Sequence, residues 1–395
     1  MTFYGSIRAS VLLALLACGG APEHEPEPAD STGAVPADAP ARRDDGPVVL
    51  AAEALDDWRL RELDHIPPYF QLHGWTDATT LFGRAGCNPV ELRVDRPEYV
   101  AWDVGACGDA MLAPDRRRLA WGDGQGAIRV GERGGRQRLV FDPATPGPAA
   151  EADPTGLILW SPDGRRIVTS WAMEWESTYA AIDAASGEVT PLSTRLDGYF
   201  LTSAEAWLDP ERILFTTQAS RALDGTSEYR ESGGYRTDLA TYDLSNHEYR
   251  KLTTVQDSVH LVPLGRWRDR EILVGERRDG PGIERYWAYD TDNWSRRPVD
   301  GLPPGTRTVI ADSTRVVVVD DSGTGAGGTH ARLLLWDEGT VVPLADIRGR
   351  PVAIVWSPDG RRLALATTIE EPADGAPGSF VTRYVAYLVE PRHGS

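Results

Sequence analysis

The chain has 395 residues, with 59 Asp and Glu against 41 Lys and Arg, for a formal charge of −18. Binding phosphates along a nucleic acid needs a basic surface, so a balance this acidic argues against it, and equally against direct adhesion to anionic lipid. One lysine, Lys251, stands among forty arginines.

The chain opens with a positive Arg8 and an apolar run, Val11-Leu12-Leu13-Ala14-Leu15-Leu16. That run is too short to cross a bilayer as a helix, which takes roughly 20 residues. It fits the apolar core of a secretory signal, and Ala17 before Cys18 suits cleavage. Leu15-Leu16-Ala17-Cys18 resembles the lipobox of bacterial lipoproteins, with Leu16 bulkier than the usual small residue. The resemblance implies a signal peptide over 1–17 and lipid on Cys18. It places the protein at the cell envelope, anchored at the outer membrane and facing the periplasm or the surface. Residues 18–50, rich in Pro, Ala, Glu and Asp, bury too little apolar surface to offset backbone entropy, so they are expected to form a disordered tether.

The remaining segment, 51–395, carries an internal repeat. Trp160-Ser161-Pro162-Asp163-Gly164-Arg165-Arg166-Ile167-Val168 recurs as Trp356-Ser357-Pro358-Asp359-Gly360-Arg361-Arg362-Leu363-Ala364. Degraded copies begin at Trp75, Leu112, Trp207 and Trp267, and Thr308–Asp312 fits the same slot without the tryptophan. The spacing, roughly 37 to 60 residues, brackets the ~40–50 of a propeller blade. In each copy a short apolar strand ends in Trp. Pro, Asp and Gly then turn the chain by fixing φ, bonding nearby backbone and accepting positive φ. Three further strands complete an antiparallel meander.

The predicted third strands lie near Glu91–Val94, Ala127–Gly131, Tyr179–Asp183, Asp238–Asp243, Arg285–Asp290, Arg332–Asp337 and Thr382–Val389. The expectation is an all-β chain: a single β-propeller of four-stranded antiparallel blades, seven in number, with six or eight as the alternatives. The last blade lacks a fourth strand of its own. The spare segment Asp57–Leu63 is expected to supply it and close the ring, since an open edge is a liability.

The Trp-Ser-Pro-Asp-Gly blades resemble the WD-like repeats of the TolB propeller family and of prolyl oligopeptidase propellers, over about residues 57–390. TolB itself carries an α/β domain ahead of its propeller, and residues 19–56 hold none. The expectation is a binding module rather than an enzyme, since no catalytic motif is found in the sequence.

After Cys18, the cysteines Cys87 and Cys107 remain, and two cysteines in an exported chain usually pair. Long insertions, Gln218–Thr237, Arg277–Ile283, Asp320–Ala331 and Glu370–Val381, fall between second and third strands. They therefore build up the face opposite the Ser-Pro-Asp-Gly turns. Candidate binding residues are Trp171, Glu174 and Trp175 in one hairpin, Tyr229 and Tyr235 in an insertion, and the scattered histidines His260 and His330. Aromatic rings beside carboxylates suit sugar or peptide recognition.

No metal site is expected. Calcium at Asp290-Thr291-Asp292-Asn293 or Asp320-Asp321 would lack the full oxygen set of a known loop. No cofactor is assigned. No Gly-x-Ser-x-Gly elbow or His-Glu-x-x-His motif occurs. Three functions stay open: a monomeric, non-catalytic module binding an envelope protein or small extracytoplasmic ligand; a propeller enzyme, such as a polysaccharide lyase using His260, His330 and an arginine; and a scaffold of an envelope complex.

Overall fold

The computed structural model describes residues 58–391, apart from 103, 105–108, 124–125, 143–155, 157–158, 173–176, 193–194, 197–198, 220–235, 256–258, 269, 279–281, 306, 311–314, 321–329, 338 and 373–379. No α-helix occurs among the described residues. After β1 (Trp58–Glu62), the first blade is β2 (Phe70–Trp75), β3 (Thr80–Ala85), β4 (Asn88–Arg93) and β5 (Tyr99–Ala101). The second is β6 (Ala110–Leu112), β7 (Arg118–Gly122), β8 (Ile128–Glu132) and β9 (Gln137–Phe141). The third is β10 (Leu159–Trp160), β11 (Arg166–Ala172), β12 (Ser177–Asp183) and β13 (Val189–Leu192). The short β14 (Arg195–Leu196) leads into the fourth: β15 (Tyr199–Trp207), β16 (Arg212–Ala219), β17 (Thr237–Asp243) and β18 (Glu248–Lys251). The fifth is β19 (Val259–Arg268), β20 (Glu271–Arg278), β21 (Arg285–Asp290) and β22 (Arg296–Pro298). The sixth is β23 (Arg307–Ile310), β24 (Arg315–Asp320), β25 (His330–Asp337) and β26 (Thr340–Arg348). The last is β27 (Arg350–Trp356), β28 (Leu363–Pro372) and β29 (Phe380–Pro391), completed by β1.

Each predicted third strand coincides with an observed one to within a few residues. One feature departs from the repeat. The fourth and fifth blades form a single nine-stranded sheet, because β17 and β19 pair in parallel at Thr237 and His260. The strand β18 covers only the Ala240–Asp243 part of β17, which leaves the start of β17 free for that pairing.

The expected closing segment pairs as the missing strand. β1 runs antiparallel to β29, with Trp58 opposite Pro391 and Glu62 opposite Tyr387, and the Leu63 N–H extends the ladder to the Ala386 carbonyl at 2.9 Å. First strands of neighbouring blades lie against one another, so they line the centre of the ring. Apolar side chains fill each junction between blades. At the junction of last and first blades, Leu63, Phe70, Leu72, Trp75, Leu81 and Leu92 pack on Val355, Ala364, Ala366, Ala386 and Leu388.

The repeated motif does more than turn the chain. Ser161 Oγ donates to Asp163 Oδ1 at 2.6 Å and accepts from the Arg166 N–H at 2.9 Å; Ser357 repeats this with Asp359 and Arg362 at 2.5 and 2.8 Å. Gly164 and Gly360 take φ of +68° and +66°, which suits glycine. The tryptophan links blades: the Trp160 indole donates to Met111 O at 3.0 Å and that of Trp207 to Leu159 O at 3.1 Å, each one residue before the anchor of the preceding blade. The second arginine of the motif reaches forward. Arg118 lies over the Trp160 ring and Arg315 over that of Trp356, 5.3 and 5.7 Å from the centroids. Arg166 bonds Pro210 O and Glu211, and Arg362 bonds Ala78 O.

Candidate functional site

First and third strands both run toward the Ser-Pro-Asp-Gly turns, so their starts and the ends of second strands share the opposite, loop face. The gaps between Ala219 and Thr237, Arg278 and Arg285, Asp320 and His330, and Pro372 and Phe380 open there, in the fourth to last blades. This is the face that the insertions pointed to.

His260 is the second residue of the first strand of the fifth blade, and His330 begins the third strand of the sixth. They are not hydrogen-bonded to each other. His260 Nδ1 lies 3.0 Å from Thr237 Oγ1, and each histidine has an arginine directly opposite in register: His260 pairs with Arg277, and His330 with Arg348. Directly opposed residues share one side of the sheet with Cβ atoms about 5 Å apart, so each histidine and its arginine stand on the same side of their blade. Trp171 lies in β11, and its side chain is outside the described part, as are Glu174, Trp175, Tyr229, Tyr235, Cys18 and Cys107.

Around His260 the fourth and fifth blades bury two carboxylates that the sequence reading passed over. Asp238 is fully buried; its Oδ1 accepts from Thr253 Oγ1 at 2.9 Å and the Val255 N–H at 2.8 Å, and Oδ2 faces Lys251 Nζ at 3.4 Å and Arg236 Nε at 3.6 Å. It thus pins the segment that carries the chain from β18 into β19. Glu276 accepts from the Trp287 indole at 2.8 Å and pairs with Arg278 at 3.6 Å. Burial pushes the Tyr289 hydroxyl up, opposed by Arg296 and assisted by Glu276 and Asp238. A carboxylate placed within an apolar strand, as in Thr237-Asp238-Leu239-Ala240, was the available sequence signal, since such a group persists only when paired.

A third acid, half-buried, lies on the innermost strand of the fourth blade. Register shifts in β15 bracket Thr202 and Glu205. Thr216 Oγ1 lies 3.0 Å from Glu205 Oε1 and 3.0 Å from Thr202 Oγ1. Burial pushes the Glu205 carboxyl up, against hydrogen bonds from Ser203 and Thr216 that pull it down.

The calcium candidates are otherwise engaged where they are described. Asp290 Oδ1 accepts the N–H groups of Asp292 and Asn293 at 2.9 and 3.0 Å, and the Arg270 guanidinium sits 3.1 Å from Asp292. Cys87 lies in the two-residue turn between β3 and β4, after Gly86 at φ +59°, rather than at a strand end. At the ring-closing seam, a cleft of about 290 Å³ is lined by Arg61, Leu63, His65, Arg93, Asp95 and Arg96, among others. Arg93 holds Asp95 there with two hydrogen bonds, keeping its carboxyl down at about 2.

No family model and no curated protein matches the chain. Among solved structures it is similar to the oligogalacturonate lyase of Vibrio parahaemolyticus, at 10% identity and a TM-score of 0.57, covering 85% of this chain and 97% of that one. An oligogalacturonate lyase in complex with manganese is 12% identical with a TM-score of 0.56, covering 85% and 98%. U3-55K is 13% identical with a TM-score of 0.51, covering 84% and 98%. At such identities the likeness concerns the fold alone. Together with the strand pairings it defines the class: a WD-like β-propeller, as the repeat implied.

Proposed function

We propose that this protein is an envelope lipoprotein, anchored through Cys18, whose seven-bladed propeller binds an extracytoplasmic partner on its loop face without catalysing a reaction. The observation that carries the reading is the concentration of long connections on that face over four consecutive blades, the end of the strands at which His260 and His330 stand. Loops set on a rigid scaffold are where recognition usually resides. Photo-cross-linking residues placed at 260 and 330 in the native envelope should yield discrete adducts, whereas one placed at 165, on the turn face, should not. Adducts confined to position 165 would refute the assignment. For the anchor, Cys18→Ser should leave an unprocessed or soluble chain, read by membrane fractionation and intact mass.

A second reading is favoured by the histidine–arginine pairs. A base beside a positive charge suits removal of a proton next to a carboxylate, and two of the similar structures are named as lyases of an acidic sugar. Incubation with polygalacturonate and ultraviolet detection of an unsaturated product decides it; no product above that of a His260→Ala and His330→Ala double variant removes the reading. We also assign a disulfide between Cys87 and Cys107, tying the β3–β4 turn to the connector into the second blade. It is supported by the pairing habit of two cysteines in an exported chain, and thiol titration of the denatured, non-reduced chain should find neither free.

A further inference from the structure

The closing strand is shorter than the strand it closes. β29 runs from Phe380 to Pro391, but β1 covers only Tyr387–Pro391, with one more bond from Leu63 to Ala386. Because the Ala386 carbonyl points toward β1, its own N–H does too. Two-residue alternation turns the N–H and C=O groups of Tyr384 and Thr382 the same way. No described strand lies against them. Among the described residues, the lane that β1 fills at one end of the last blade is therefore unfilled at the other, on the loop-face side.

The walls of that lane are built. Tyr69 follows β1 by a few residues, is 69% exposed, and takes φ of +58°. A bulky side chain rarely adopts that backbone, which is retained where the surroundings impose it. Its ring meets Tyr384 edge to face at 6.3 Å. Across the sheet, Tyr384 lies opposite Thr368, and Thr368 opposite Arg350, so the three share one face. On the other face of β29, Val381 is 56% exposed and the Arg383 guanidinium reaches Glu62 at 3.0 Å.

We propose that the open half of β29 is a docking site for an extended peptide segment of a partner protein, which adds as a strand in continuation of β1. Unpaired strand edges are satisfied by another strand, with main-chain bonds giving affinity and alternate side chains giving specificity. The guest residue beside Tyr384 meets the Tyr69–Tyr384 ring pair, so it is aromatic or long and apolar. Its neighbour in sequence lies over Arg383 and is acidic. The site is separate from the His260 and His330 pairs and does not depend on them.

A random peptide library displayed on phage, selected on the full chain, supplies the probe. Selected peptides should carry an acidic residue next to an aromatic or long apolar one, and should slow amide exchange at Thr382 and Tyr384. Thr382→Pro removes an outward N–H at an edge position that tolerates proline. Losing one or two main-chain bonds should weaken each selected peptide by about tenfold or more. Tyr69→Ser, which leaves the strand intact, should weaken them independently. Unchanged melting of both variants establishes that the fold is kept. Selection of no peptide, or of peptides indifferent to both variants and to those amides, overturns the proposal.

Discussion

The indole of Trp75 donates a hydrogen bond to the carbonyl of Val355 at 3.2 Å, joining residues 280 positions apart at the junction of first and last blades. It repeats, across the closing seam, the bonds that Trp160 and Trp207 make within the ring. Trp75→Phe keeps the ring and removes the donor. With the Val355 carbonyl left buried, the loss should be about 1–2 kcal/mol, read as a lower urea midpoint with an unchanged slope. An unaltered midpoint would show that the bond contributes nothing to closure.

Closure itself is tested by truncation. Removing residues 19–50 should leave the melting temperature unchanged, because a segment of that composition carries too little apolar surface to contribute to a core. Removing through Leu63 takes away β1 and exposes apolar surface at the seam, at a cost of about 3 kcal/mol or more. Equal melting temperatures for the two truncations would mean that β1 does not hold the ring.

The arginine that passes from one blade to the next explains why Gly164 is glycine twice over. A Cβ there would lie 2.7 Å from Arg118 Nη2, in addition to the positive φ, whereas one at Gly86 would meet nothing within 4 Å. Gly86→Ala therefore reports backbone strain alone, about 1 kcal/mol. Gly164→Ala should cost more, and the excess should vanish in an Arg118→Ala background. An excess that survives there would assign the cost to the turn.

Glu205 gives the chain a pH dependence opposite in sign to that of its turns. Its folded pKa is raised above 4.5, so the folded state holds the proton more tightly, and stability falls as pH rises from 4.5 through the folded value. The turn carboxylates Asp115 and Asp359 are lowered below 3.8, burial opposing the backbone and side-chain hydrogen bonds that pull them down. Their contribution is present above 3.8 and is lost as pH falls through the folded values. Glu205→Gln should therefore stabilise the protein at neutral pH relative to wild type, with the difference shrinking toward pH 4.5. A difference that does not change with pH would exclude a raised carboxyl pKa at this position.

Much of the fold was legible from local chemistry. The Trp-Ser-Pro-Asp-Gly turn needs only its own residues, since Ser, Asp and Gly bond or free the backbone within five positions. The alternation and punctuation of strands such as Arg285–Asp290 follow from the pleat. The unpaired segment Asp57–Leu63 and the three-stranded last blade also implied one another, because an exposed edge is costly. The bonds between blades could not be read this way. That Arg118 crosses Gly164, or that Trp75 bonds Val355, depends on how sheets stack around the ring, which no local periodicity encodes.

The candidate sites divide along the same line. Sequence alone singled out His260 and His330 by residue type and placed the long insertions on one face by strand parity. It could not supply Arg277 and Arg348 opposite them, because a cross-strand partner depends on register. Nor could it pair Thr237 with His260 across two blades, bury Asp238 and Glu276 at that junction, or leave half of β29 open beside Tyr69. Those follow from where strands end, which is decided by packing among segments far apart in the chain. Composition and local hydrogen bonding determined the blades; tertiary packing decided which charges and which edges the assembled ring presents.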